Sequence, residues 1–360
     1  MPLSASQNPY IATVGHPPLK VRWTETYDNL EIWEKHSKQS PGGFIRRNLT
    51  QTELMAHEII VDINKGEVVT IVLYDGDETH PDPNDNLEDP PPKSLLTVFG
   101  IVDEYREMIS LPDGIAKGGT YIASSIVTSE NCFVLMQVGE SEPQVLQTSP
   151  STGVELKWFD APDAQSWVDS GTSHSCECTP LWPGHLYAVT IIAVADDGFW
   201  DCKFDAVQTK NRQVDINIER LFVDNDGDAN NAGEAQFWVS VKEGGWSLPI
   251  TVLNLWSIGN DDYSVYDGES IELGWRTTVG PQRIDKTNEI VAVHTNGMEY
   301  DGIFGTDDAS DQDGGQRLDF PTGSANEEHT EDSVYLVASP IDAAFAFTVL
   351  YNWTVTYVDP

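Results

Sequence analysis

The chain has 360 residues, with 20 Lys and Arg against 58 Asp and Glu, a formal net charge of −38 at pH 7. That sign excludes binding nucleic acid through phosphate contacts and disfavours anionic membrane surfaces, since both need a basic face. Hydrophobic residues at 39% and 11 Trp exclude a disordered acidic tail, and no run of about 18 apolar residues offers a membrane-spanning helix.

In chain order, the start Met1-Pro2-Leu3-Ser4-Ala5-Ser6 carries no basic segment leading into an apolar stretch, so no secretory signal is expected there. Residues 1–18 read as an extended arm ending at Pro17-Pro18. Beyond it lie short strands with turn punctuation about every 8–12 residues, which predicts an all-β chain of sandwiches. Apolar and polar residues alternate over 19–23, 29–33 and 57–63, and continuous apolar runs at 68–74, 95–102, 188–194 and 334–338 suit buried strands. Helical periodicity is nearly absent. Its best candidate, 52–58, is too short to count as scaffold.

The proline-rich stretch 81–92 cannot join a sheet interior, because proline lacks the N–H, and is expected as a stiff exposed loop. Leu111-Pro112-Asp113-Gly114 with Lys117-Gly118-Gly119 forms a first linker, and Thr209-Lys210-Asn211-Arg212 a second. Three β-sandwiches in series are therefore expected, over 19–112, 113–210 and 211–360. The second contains Leu181-Trp182-Pro183-Gly184-His185-Leu186-Tyr187. That run resembles the fibronectin type III pattern, in which Leu-x-Pro-Gly-x-x-Tyr turns the chain between two late strands. The resemblance implies a tyrosine corner at Tyr187. The first sandwich resembles it only weakly, with Lys65 and Val68 where the pattern has Pro and Tyr.

All four cysteines, Cys132, Cys176, Cys178 and Cys202, fall in the second sandwich. On a strand Cys176 and Cys178 share a face with His174. Disulfides, free buried thiols and a zinc set all remain open at this point, although one-residue spacing is unusual for structural zinc. The eight histidines are dispersed, and His57-Glu58 lacks the second histidine of a metalloprotease helix. Gly-x-Ser-x-Gly, Walker and dinucleotide motifs are missing as well, so no catalytic residue is named. With 58 acids, pairs of carboxylates arise by chance everywhere.

The charge is densest near the end: residues 211–360 hold 27 acidic and 7 basic residues. Within them a strand-like run to Val223 meets Asp224-Asn225-Asp226-Gly227-Asp228-Ala229-Asn230-Asn231-Ala232-Gly233-Glu234, and a second strand-like run follows. Alternating aspartates in a turn can converge the hard oxygens that Ca²⁺ requires. An EF-hand is excluded, because Ala229 and Ala235 occupy its Gly and Glu places and strands flank the loop. The arrangement instead resembles a calcium-binding C2-type sandwich over about 211–360. That family needs a second acidic loop, here 296–302 running into 307–313. The resemblance implies Asp224, Asp226, Asp228, Glu234, Glu299 and Asp301 as Ca²⁺ ligands. The alternative is a solvated turn on the acidic skin of a halophile's cytoplasmic protein.

The expected function is non-enzymatic: a structural or adhesion protein of an extracellular or particle surface, such as a virion, fibre or surface layer. Its partner would be a protein or carbohydrate surface, self-assembly included. The rivals are an extracellular hydrolase of carbohydrate or peptide and a carbohydrate-binding module. Exposed coplanar rings at Trp246, Trp256 or Trp275 would favour the module. Two sequons, at Asn48 and Asn352, permit glycosylation.

Overall fold

The computed structural model describes residues 10–14, 19–24, 29–38, 43–75, 94–159, 161–168, 170–226, 233–244, 251–284, 289–299, 308–309, 314–338 and 345–360. The proline-rich stretch 81–92 lies outside the described residues. The class is all-β. Among the described residues the one α-helix, α1 (Gln51–Ala56), is held by a capping box in which Thr50 Oγ1 accepts from Glu53 N and the Glu53 carboxylate accepts from Thr50 N.

The chain divides into two compact units. Unit 1 comprises residues 1–116, 122–178 and 187–207. Its first strands are β1 (Tyr10–Thr13), β2 (Leu19–Arg22), β3 (Leu30–His36), β4 (Ile45–Arg46), β5 (Glu58–Val61), β6 (Val68–Asp75) and β7 (Ser94–Ile101). They form a sheet ordered β1–β7–β6–β3–β4 and a separate β2–β5 pair. Residues 10–13 of the expected arm thus run as a strand parallel to β7. Alternation in β6 sends Val69, Ile71 and Leu73 against Val21, Trp23, Ile59 and Val61 of the β2–β5 side. Val72 and Tyr74 go to the opposite face, against Phe44. Both faces of β6 are covered, which is why its sequence reads as an unbroken apolar run.

Unit 1 continues with β8 (Ile109–Ser110), β9 (Ile115–Lys117), β10 (Ile122–Thr128), β11 (Cys132–Gly139), β12 (Gln144–Thr148), β13 (Glu155–Trp158), β14 (Ala164–Val168), β15 (Ser173–Cys178), β16 (Leu186–Ala195) and β17 (Trp200–Gln208). One sheet runs β15–β10–β8 with β9 beside β10; another runs β14–β11–β16–β17; β12 and β13 pair separately. All eight positions of β11 are buried. Phe133 and Leu135 on one of its faces pack with Phe99, Ile101 and Ile11 of the first sheet and with Trp158, Ile192 and Trp200. That shared apolar cluster makes the first two predicted sandwiches one compact unit. Gly66 marks their close approach: with φ +58° it occupies the left-handed region, and an added Cβ would lie 2.0 Å from the Asp196 carbonyl oxygen.

Unit 2 comprises residues 117–121, 179–186 and 208–360. Its strands are β18 (Asn211–Asn225), β19 (Gly233–Gly244), β20 (Thr251–Val265), β21 (Ser270–Gln282), β22 (Ile290–Glu299), β23 (Asp308–Ala309), β24 (Gly314–Arg317), β25 (Glu328–Ala338) and β26 (Ala346–Val358). One sheet is ordered β21–β18–β26–β25; the other is β20–β19–β22, with β23 and β24 both paired to β22. Period-two alternation in β26 turns Phe347, Val349, Tyr351, Trp353, Val355 and Tyr357 inward. They meet Ala235, Phe237, Val239 and Val241 of β19 in one core, with Phe237 edge-on to Phe347 at 4.9 Å between ring centroids.

Candidate functional site

Antiparallel register decides what gathers at one end of unit 2. Asn225 lies opposite Ala346, Phe222 opposite Ser270, Gly233 opposite Val265, and Ala235 opposite Glu299. The strand ends that flank segments 226–232, 266–269, 300–307 and 339–345 therefore lie at the same end. Three of the four carry several carboxylates in the sequence or just beside it.

Asp224 is exposed, and its Oδ2 accepts from Thr348 Oγ1 at 2.7 Å. Asp226 is 3% exposed, and its backbone N–H donates to Asp267 Oδ1 at 2.8 Å. Val223 N–H donates to the Glu269 carbonyl at 2.9 Å, and Gly268 N–H returns a bond to Val223 O at 2.8 Å. The Glu269 carboxylate caps its own turn by accepting from Tyr266 N at 3.1 Å. The acidic turn bonded to Asp224–Asp226 is thus Asp267–Glu269, which the sequence reading missed. Its signal was present: Tyr266-Asp267-Gly268-Glu269 is an acidic turn with Gly268 at φ +76°.

Glu234 is half-buried opposite Ser264, and the Glu299 backbone pairs with Ala235 and Asp308, so these two stand on neighbouring strands at the same end. Asp228 and Asp301 lie outside the described residues. Among the described residues no group of three or more His, Cys, Asp or Glu side chains surrounds one metal position. Two acidic turns joined by a hydrogen bond are present; a closed ligand cage is not assembled by these residues alone.

The cysteines resolve differently from two of the three open options. All four are free and buried, so no disulfide forms, and among the described residues no three His, Cys, Asp or Glu side chains gather around one metal position. His174, Cys176 and Cys178 do share the buried face of β15. His174 Nε2 sits 3.2 Å from Thr128 Oγ1, and Cys178 Sγ points to the Met136 carbonyl of the facing sheet at 3.5 Å. Cys132 Sγ lies 3.7 Å from Met108 Sδ. These thiols serve as small core residues. Burial pushes Cys132 up to about 11 and Cys202 up to about 12, and raises Cys176 and Cys178 as well. Native protein should therefore show no fast-reacting thiol toward Ellman's reagent, and four after denaturation. A raised thiol pKa stabilises the fold fully below the ordinary thiol value of about 8.5 and less as pH climbs toward the folded value. Stability should accordingly fall from about pH 9 upward, and reductant at neutral pH should leave the melting temperature unchanged.

Trp256 and Trp275 stack with ring centroids 5.8 Å apart and planes at 11°, both packed on the unit 2 core. They do not form the exposed pair of rings that the carbohydrate reading asks for. Trp246 lies outside the described residues.

No family model matches the chain, and no curated protein matches it. Among solved structures it is similar to a tetra-tandem repeat in the extending region of a large adhesion protein, at 12% identity over 93% of each chain, with a TM-score of 0.18. It is also similar to the Escherichia coli alpha-2-macroglobulin activated by porcine elastase. There identity is 8% over 94% of this chain and 33% of that chain, with a TM-score of 0.17. At such TM-scores neither likeness assigns a fold family or an activity to this chain.

Proposed function

We propose that this chain is a non-catalytic structural or adhesion protein of an extracellular or particle surface, with Ca²⁺ bound at the acidic end of unit 2. The observation that carries the reading is the bond from Asp226 N–H to the Asp267 carboxylate, which ties two acidic turns together at one end of unit 2. Asp224, Asp226, Asp267 and Glu269 supply hard oxygens there, with Glu234 and Glu299 on the adjoining strands. Ca²⁺ suits such a set better than Mg²⁺, because it accepts 6–8 oxygens in irregular geometry while Mg²⁺ holds its waters. The C2-like reading of unit 2 rests on these loops. For the middle sandwich, the fibronectin III-like reading is supported by Gly184 at φ +77° and Tyr187 fully buried three residues later.

Titration calorimetry of the full chain should show saturable heat with CaCl₂ and much weaker binding with MgCl₂. Asp267→Asn should weaken the calcium affinity about tenfold, the loss of one charged ligand. Microspheres coated with the chain should clump in CaCl₂ and disperse in chelator. Saturable calcium heat without clumping would retain the ion and remove self-adhesion; the absence of both would remove the reading.

A further inference from the structure

A groove of about 460 Å³ opens on the outer face of the β20–β19–β22 sheet of unit 2. Its size falls in the range of small-molecule sites. In a chain with 58 acidic residues, no carboxylate lines it among the described residues. The outer face of the other sheet is different and carries Asp215 and Glu219. Period-two alternation in β19 turns Val239 and Val241 into the core and leaves Trp238, Ser240 and Lys242 in a row along the groove. At about 3.3 Å of rise per residue that row is about 13 Å long. Register sets Leu255 of β20 opposite Ser240 and Asn296 of β22 opposite Trp238.

Ser240 is 8% exposed and lines the groove, and its hydroxyl bonds to no group among the described residues. Lys242 likewise has neither ion pair nor hydrogen bond among the described residues, although acids outnumber bases 58 to 20. Its chain neighbour Glu243 serves the other side of the sheet, where its charge acts on Arg212. At the far end of the row the half-buried Trp238 ring joins Leu255 and Met298 in an apolar platform. The groove thus runs from a ring platform, past an open hydroxyl and the exposed Asn296 amide, to an unneutralised cation. An added peptide strand does not fit this floor, because β19 is already paired on both sides, to β20 and to β22. Recognition there has to come from side chains.

We propose that this groove binds a short anionic oligosaccharide. A pyranose has one face of C–H groups, which lies on the Trp238 ring, and a rim of hydroxyls, which bond to Ser240 and Asn296. The acid group, a carboxylate or a sulfate ester, meets the Lys242 ammonium. The site names a partner class for the adhesion reading and rests on that reading for its role at a surface, but binding itself needs no calcium. In the sequence Trp238 reads as an ordinary position of a strand.

Titration calorimetry of the full chain in chelator tests it apart from calcium at the acidic turns. The ligands are trigalacturonate against its methyl ester, and a sulfated galactotriose against the unsulfated sugar. At least one acid should bind saturably and about tenfold more tightly than its neutral counterpart, the worth of one charge-assisted hydrogen bond. The tighter of the two acids identifies the acid group. Lys242→Gln removes the charge from a side chain without a partner, so it should leave the melting temperature unchanged and bring the acid down to the affinity of the neutral sugar. Trp238→Ala should weaken the acid about fivefold to tenfold. No saturable heat with either acid at millimolar concentration, equal affinity for acid and neutral sugar, or acid binding unmoved by Lys242→Gln would each overturn the proposal, whatever calcium does.

Discussion

Asp201→Ala is expected to destabilise unit 1 by about 3–5 kcal/mol, the range for breaking a buried polar network. Asp201 is fully buried at the start of β17. Its Oδ2 accepts from Met108 N at 2.7 Å and Ile109 N at 2.6 Å, and its Oδ1 accepts from Cys202 N at 2.7 Å. One carboxylate thus anchors the entry to β8 onto the edge of the β14–β11–β16–β17 sheet. Burial first, and then the charge of Asp201, push the nearby Tyr105 hydroxyl up to about 12. Removing the carboxylate leaves three backbone donors without an acceptor, each costing about 1–3 kcal/mol before local rearrangement recovers part of it. Asp201→Asn retains one carbonyl oxygen and should cost roughly half as much. Urea unfolding, with hydrogen exchange read on β10 and β11, measures both. A loss below about 1 kcal/mol for Asp201→Ala would mean that water or a shifted loop replaces the carboxylate.

Much of the fold was legible because period-two alternation and continuous apolar runs have a direct physical meaning. The runs at 68–74 and 188–194 became β6 and β16, and the doubly buried character of β6 follows from Val72 and Tyr74 facing away from Val69 and Ile71. What alternation cannot convey is which sheet covers an outer face. Phe99 and Phe133 each read as ordinary apolar strand residues, yet together they join two sheets of unit 1 into one cluster. Even spacing also cannot tell thiols from bridges. Cys176 and Cys178 alternate inward as expected, and only the packing around them shows that each is a free core residue.

The acidic end illustrates the same limit. Asp224 and Asp226 are visible because aspartates alternate into a turn, and the second acidic loop expected from the sequence is 296–302 running into 307–313. Register adds Asp267–Glu269, since β21 pairs with β18 directly, while residues 300–307 and 310–313 lie outside the described residues. Sequence shows which residues carry charge. Pairing decides which of them meet.

Calcium binding is tested most directly by melting the full chain in chelator, in CaCl₂, in MgCl₂ and in NaCl at matched ionic strength. Carboxylates gathered at one end repel each other, and an ion that binds only the folded state stabilises it by mass action. At 100 times its dissociation constant the gain is about 2.7 kcal/mol. For a unit of this size that raises the melting temperature by roughly 5–10 °C. Asp226→Asn keeps the backbone bond to Asp267 and removes one charged ligand, so it should lose most of the calcium increment while melting normally in chelator. General screening of the −38 charge would act through any salt equally. A rise in CaCl₂ above matched NaCl, small in MgCl₂ and lost in Asp226→Asn, is the expected result. Superimposable curves in CaCl₂ and matched NaCl would contradict it and leave the acidic turns as a solvated surface.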